Sequence, residues 1–211
     1  MKRVFVNGYG SIGSRISQFI TGDSDIEVVG IGKYSPDEKV NDAISRGFRV
    51  YVPKNKMDQF KNFKISGTID EALQKCDLVI DAAPGGQGYT NKKTLYEPKN
   101  LSAIFQGGET IIGDKSVADL IFNSRVNYKD AFDKKYAMQG SCNVTGVGRI
   151  LQPLKEKYGA RIKRFDATLL RRWADLEDSK IEVKDSIEWT RKPHHNDDVK
   201  SYMGKDTPLY I

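Results

Sequence analysis

Gly8, Gly10 and Gly13 stand at the spacing G-x-G-x-x-G, and their flanks restrict the fold more than any other feature of the chain. Before them, KRVFVN is centred on Val4, Phe5 and Val6. After them, SRISQFITG carries Ile16, Phe19 and Ile20 at helical spacing, with Gly22 as a stop. A glycine turn between a buried strand and a helix is the opening unit of a parallel α/β sheet. In that setting Gly8 permits the tight turn, Gly10 lets the backbone approach a pyrophosphate, and Gly13 lets the helix pack closely on the strand. The unpaired N–H groups at the helix start then face the phosphates. The bland alternative is a tight turn with no ligand.

The alternation continues. IEVVGIGK reads as a buried strand, DEKVNDAISRGF as a helix, RVYVP as a strand, IDEALQKC as a helix, and DLVIDAAP and LSAIFQGG as strands. This predicts an α/β fold with a Rossmann-type doubly wound parallel sheet over residues 1–140. After Gly140 the pattern changes. VGRILQPLKEKYG is helical, with Pro153 kinking it or marking its true start. FDATLLRRW and KIEVKDSIEWT read as longer strands with polar alternation, so residues 141–211 are expected to form a partial α+β catalytic domain. No internal repeat is present.

The formal net charge is +6, but the basic residues are dispersed, with no Lys/Arg block interleaved with aromatics. Attraction of phosphorylated ligands explains this balance as well as nucleic acid does, and nucleic acid is not the expected partner. No apolar run approaches the ~20 residues that span a bilayer. Asn7 and the glycines interrupt any signal-like core at the N-terminus, so a cytoplasmic protein without membrane contact is expected. Cys76 and Cys142 lie in different contexts, which argues against a disulfide framework.

Beyond the glycine turn, the second strand ends Gly30-Ile31-Gly32-Lys33-Tyr34. A site selective for NAD places an acid near there to hold the ribose 2′-hydroxyl; here none occurs before Asp37. Lys33 instead suits a 2′-phosphate, so NADP, or NADP and NAD alike, is the expected cofactor. Otherwise Lys33 is a solvated surface lysine. DAAPGGQG (81–88) and FQGGE (105–109) follow strands, where cofactors bind in such sheets. Their glycines admit the nicotinamide ribose or are ordinary turn glycines.

Ser141-Cys142-Asn143 precedes Thr145 and a helix. A thiol at a helix start is favoured as thiolate by the dipole, and Asn143 or Thr145 is placed to cap that helix. The alternative is a buried structural cysteine, which suits Cys76 inside ALQKCDLVI. A thiol behind a nucleotide fold points to covalent attack on an aldehyde, with hydride passing to the cofactor.

With VNGYGSIGSRI, VIDAAPGG, AIFQGGE, GSCNVTG, LQPLKEKYG, LLRRWAD and KPHHNDDVK in order along essentially the whole sequence, the chain resembles the archaeal-type phosphorylating glyceraldehyde-3-phosphate dehydrogenases. The resemblance implies that Ser11, Ile12 and Gly108 contact the cofactor beside Gly8, Gly10, Gly13 and Lys33. It makes Cys142 the nucleophile, with Ser141 and Asn143 in the substrate site. Arg171 and Arg172 match an arginine pair, the first assigned to the substrate and the second to the cofactor. His194 and His195 match a histidine pair that contacts substrate. Arginine forks and imidazole donors suit anionic substrates. On a strand, however, adjacent arginines point to opposite faces, and histidines after Pro193 also fit a solvated loop.

The implied reaction is NAD(P)-dependent oxidation of D-glyceraldehyde 3-phosphate with inorganic phosphate to 1,3-bisphosphoglycerate, in glycolysis or gluconeogenesis, by a homotetramer without a metal. Family members are longer, and their general-base histidine lies beyond the segment matching KPHHNDDVK. This sequence ends at TPLYI, which reads as the start of a strand, so a C-terminal truncation is expected. Two alternatives stay open: a thiol-dependent semialdehyde or acyl-phosphate reductase, and a non-catalytic NADP-binding fragment.

Overall fold

The apolar run Val4–Val6 forms the middle of strand β1 (Lys2–Asn7), with all three side chains buried. A computed structural model describes residues 1–106, 108–111, 113–168 and 195–211. The chain divides into two compact units, one of Met1–Phe122 with Lys129–Ser141, the other of Asn123–Tyr128 with Cys142–Ile211.

In the first unit β1 is followed by α1 (Ser11–Ile20), β2 (Ile26–Gly32), α2 (Lys39–Ser45), β3 (Val50–Val52), β4 (Gly67–Thr68), α3 (Ile69–Leu73), β5 (Leu78–Asp81), α4 (Gly88–Asn91), β6 (Ser102–Phe105), β7 (Leu120–Phe122) and β8 (Tyr136–Gln139). The eight strands form one sheet in the order β4-β3-β2-β1-β5-β6-β8-β7. Every pairing is parallel. The order reverses between β1 and β5, which makes that crevice the topological switch point. The doubly wound parallel sheet expected from the sequence is therefore present.

Packing follows the buried faces. Val4, Val6, Ile31, Val40, Val50, Val52 and Phe60 form one apolar cluster. Burial of each such side chain stabilises by about 1.5–3 kcal/mol. Phe105 of β6 packs between the Tyr96 and Tyr136 rings, with centroids 6.1 and 6.2 Å away. Helix α3 starts with a capping box: Thr68 Oγ1 accepts from Glu71 N at 3.3 Å, and Glu71 Oε2 accepts from Thr68 N at 2.7 Å.

Some elements differ from the sequence reading. Phe19, on the apolar stripe expected of α1, is 86% exposed. The buried positions of that helix are Gly13 and Ser17, because α1 approaches so closely that small residues occupy its contact face. Residues 88–99 form a short helix, a π turn (Lys92–Tyr96) and a 3-10 turn (Glu97–Lys99) with no periodic signal in the sequence. Strands β7 and β8 span only 3 and 4 residues, too short for alternation to stand out.

In the second unit helix α5 (Cys142–Tyr158) starts well before Pro153 and continues through it. The carbonyl that loses its partner belongs to Arg149, itself an exposed residue. Helix α6 (His195–Met203) packs on α5: Val199 and Met203 are buried, as are Val144, Val147 and Leu151. Tyr202 Oη donates to Val144 O at 2.6 Å, and Lys155 Nζ donates to Met203 O at 2.7 Å. Of FDATLLRRW, Phe165–Asp166 forms β9, and the terminal PLYI forms β10 (Leu209–Tyr210), parallel to it. Residues 169–173 of the first segment, and all of KIEVKDSIEWT, lie outside the described residues. Among the described residues no helix is long and apolar enough to cross a membrane.

Candidate functional site

In the first unit the glycine turn joins β1 to α1 at the switch point. Gly8 has φ +117°, a conformation that side chains resist, and a Cβ there would lie 2.5 Å from Ala82 O. A Cβ on Gly13 would lie 1.8 Å from Gly8 O, so only glycine allows the helix to sit so close to the turn. Gly10 differs: nothing lies within 4 Å of its Cβ direction. It occupies the N-cap of α1, no side chain caps the helix, and its first turn carries no acid. The first-turn N–H groups therefore take no side-chain cap and no acid offsets the positive dipole end, which suits a pyrophosphate. Ser11 and Ile12 stand exposed at the same helix start.

Lys33 is not the solvated lysine of the bland reading. It is 7% exposed, and its Nζ lies 2.5 Å from Asp37 Oδ2. The stem is buried, and the charge is held by the first acid after β2. A nucleotide ribose near this strand end would meet a paired lysine and carboxylate rather than a lone cation.

A buried polar network underlies the strand ends. Asp81 Oδ2 accepts from Asn91 Nδ2 at 2.9 Å and from Tyr96 Oη, while Asp81 Oδ1 accepts from Ala83 N at 3.0 Å. Asn7 Nδ2 donates to Tyr96 Oη at 2.7 Å, and Asn7 Oδ1 accepts from Tyr34 Oη at 2.9 Å. Burial pushes the Asp81 carboxyl up, against the lowering effect of its donors, Tyr96 foremost. Burial also pushes the Tyr34 phenol to about 12 and Tyr96 well above its ordinary range. The network ties together the ends of β1, β2 and β5. Its only signal in the sequence is an amide and a carboxylate closing two apolar strands. Gly108, with φ +102°, is exposed on the loop after β6. Glu109 beside it reaches back to the loop after β5.

The second unit holds the thiol. Cys142 is the first residue of α5 and is exposed. Asn143 and Thr145 therefore lie inside the helix, and neither takes the capping position expected of it. Cys142 Sγ lies 4.0 Å from Asn143 Oδ1, and Asn143 Nδ2 lies 3.4 Å from His195 Nε2. The α5–α6 packing brings this histidine to the asparagine across 52 positions of sequence. Ser141, half-buried, closes the first unit. Arg171, Arg172 and His194 lie outside the described residues. Cys76 contrasts with Cys142: it is buried, and burial pushes its thiol to about 11.

No protein-family model matches the chain. Among curated proteins it is 39% identical over 209 residues to a glyceraldehyde-3-phosphate dehydrogenase of Thermoplasma volcanium, covering 97% of this chain and 60% of that protein. It is also 39% identical over 209 residues to the enzyme of that name from Methanobacterium bryantii, with 96% and 60% covered. The relative of the same name from Hyperthermus butylicus is 39% identical over 206 residues, with 95% and 58% covered. The chain thus spans about 60% of the length of the curated relatives it matches. Likeness to solved structures is weaker. An aspartate semialdehyde dehydrogenase with NADP from Candida albicans is 15% identical, with 75% of this chain and 48% of that one covered at a TM-score of 0.49.

Proposed function

We propose that this chain, whose sequence is of the archaeal glyceraldehyde-3-phosphate dehydrogenase type along nearly its whole length, supplies the dinucleotide-binding fold and the reactive thiol for NAD(P)-dependent, phosphorylating oxidation of glyceraldehyde 3-phosphate. The observation that carries the reading is Cys142, exposed at the head of α5 with Asn143 beside it and His195 against that asparagine, in a chain so similar to enzymes of that name.

The residues take these roles. The Cys142 thiolate attacks the aldehyde carbon, and a sulfur–carbon bond forms as the carbonyl pair moves to oxygen. In this reading the Cys142 backbone N–H holds that oxygen. Nicotinamide chemistry supplies the two-electron oxidation of the thiol-bound carbon to a thioester. A phosphate oxygen then attacks the thioester, the thiolate leaves, and the acyl phosphate departs. His195 is taken to donate to the anionic substrate from the head of α6, and Ser141 is assigned to the substrate by family position. Arg171, Arg172 and His194 are assigned to the substrate and cofactor anions by family position.

The glycine turn and the α1 start hold the pyrophosphate, with Ser11, Ile12 and Gly108 against the cofactor. The Lys33–Asp37 pair favours use of either nucleotide: a 2′-phosphate gains the lysine, and a 2′-hydroxyl gains the carboxylate. The reading also takes the complete protein to be a cytoplasmic homotetramer of glycolysis or gluconeogenesis.

The test is covalent. The chain is incubated with NADP and glyceraldehyde 3-phosphate without phosphate, and intact mass spectrometry looks for an acyl adduct. An adduct on Cys142 that forms as reduced nicotinamide appears, is absent in Cys142→Ser and is released by phosphate is expected. NADPH binding without any adduct would make the chain a non-catalytic nucleotide-binding piece. Faster acylation by aspartate semialdehyde would move the substrate class to semialdehydes.

A further inference from the structure

The loop after β5 runs Pro84-Gly85-Gly86-Gln87-Gly88 into α4, and one oxygen outside it organises its backbone. Glu109 Oε1 accepts from Gly86 N and from Gly88 N, each at 2.9 Å. The fit is close: a Cβ on Gly88 would lie 2.8 Å from Glu109 Cδ, and one on Gly85 would lie 3.2 Å from Gly108 O. The same loop is tied at its start, where Ala83 N donates to Asp81 Oδ1 at 3.0 Å. Its first residue, Ala82, abuts Gly8 of the dinucleotide turn. Glu109 thus links the loops that follow the adjacent strands β5 and β6, on the side of the switch point where a dinucleotide binds in such sheets.

We propose that Glu109 is a positioning residue whose carboxylate clamps the 84–88 loop in the conformation that admits the dinucleotide, and so sets cofactor affinity. The assignment rests on the dinucleotide-binding reading above. The physical reason is preorganisation. Residues 84–88 include three glycines, which lose the most conformational freedom on ordering. Without the clamp, that ordering cost is charged to cofactor binding. Partial burial pushes the Glu109 carboxyl up, while the Gly88 and Gly86 N–H groups hold it down, as expected of an acceptor committed to the loop. Because a single oxygen accepts both bonds, an amide oxygen of the same reach can replace it.

The experiment is calorimetric titration of the full chain and its Glu109→Ala, Glu109→Asp and Glu109→Gln variants with NADPH, with apo melting curves recorded alongside. Alanine, which removes the acceptor, and aspartate, which withdraws it, are expected to weaken NADPH binding about tenfold, or ~1.4 kcal/mol. Glutamine is expected to stay within about threefold of the wild type, and apo melting is expected to move little. If the alanine variant melts early, the aspartate variant decides by the same criterion. Wild-type affinity in the alanine and aspartate variants overturns the clamp and leaves the dinucleotide reading intact. Loss in glutamine equal to that in alanine also overturns it, since charge rather than reach would then matter. A wild-type chain that binds neither NADPH nor NADH removes the dinucleotide reading, and this assignment with it.

Discussion

Replacing Asp81 by asparagine tests whether the buried network depends on two acceptor oxygens rather than on any polar side chain of that shape. Three donors converge on Asp81: Ala83 N, Asn91 Nδ2 and Tyr96 Oη. An asparagine keeps one acceptor oxygen, so if that oxygen serves Ala83, its amide faces two donors. Tyr96 Oη can accept with its second lone pair, but its own proton then lacks a partner, and Asn91 is left unsatisfied. Each orphaned buried donor costs about 1–3 kcal/mol. With partial relaxation, Asp81→Asn should destabilise the first unit by about 2–4 kcal/mol, or a melting shift on the order of 10 °C for a chain of this size.

The pH dependence has a definite sign. Burial raises the Asp81 carboxyl in the folded state above its unfolded value. Its contribution is therefore full below the unfolded value, ~3.9, and declines as pH rises through the folded value. The amide of the Asp81→Asn variant does not titrate, so the gap between wild type and variant should be wider under acid conditions than at neutrality. Urea melts of both proteins across that window check this, since the other carboxylates titrate in both and cancel. A variant within about 0.5 kcal/mol of wild type, or a gap that widens as pH rises, would refute the reasoning.

Other outcomes follow from single contacts. Iodoacetamide under native conditions should label Cys142 and spare Cys76, as peptide mass spectrometry would read, because one thiol is exposed and the other is buried and held at about 11. Thr68→Ala should lower stability by about 1 kcal/mol in chemical denaturation, through loss of the capping box of α3. Gly148→Ala should cost about 1–3 kcal/mol and speed amide exchange along α5, since its Cβ would lie 2.4 Å from Tyr202 Oη and 2.7 Å from Asn123 Nδ2.

The parts of the fold legible in the sequence are those governed by local sterics and periodicity. Strand, turn and helix around Gly8–Gly13 follow from the apolar run and from backbone conformations that glycine alone tolerates. Element boundaries were less legible. Helix α5 begins at Cys142 rather than after Thr145, and Pro153 neither starts nor ends it, because packing against α6 outweighs a local propensity. The apolar stripe of α1 identified a helix but assigned Phe19 to the wrong face, since periodicity is blind to how closely the neighbouring element approaches.

Sequence alone determined that this chain builds a doubly wound parallel sheet with a glycine turn between its first strand and helix, and that one of its two thiols sits at a polar helix start. Tertiary structure decided which groups meet. It placed β8 between β6 and β7, joined Asn7, Asp81 and Tyr96 beneath the switch point, and set Glu109 against Gly86 and Gly88. It also brought His195 to Asn143. The physical reason is that propensity and period act over a few residues and specify an element and its buried face. A hydrogen-bond partner many positions away is fixed only when the packed chain closes the loop between them.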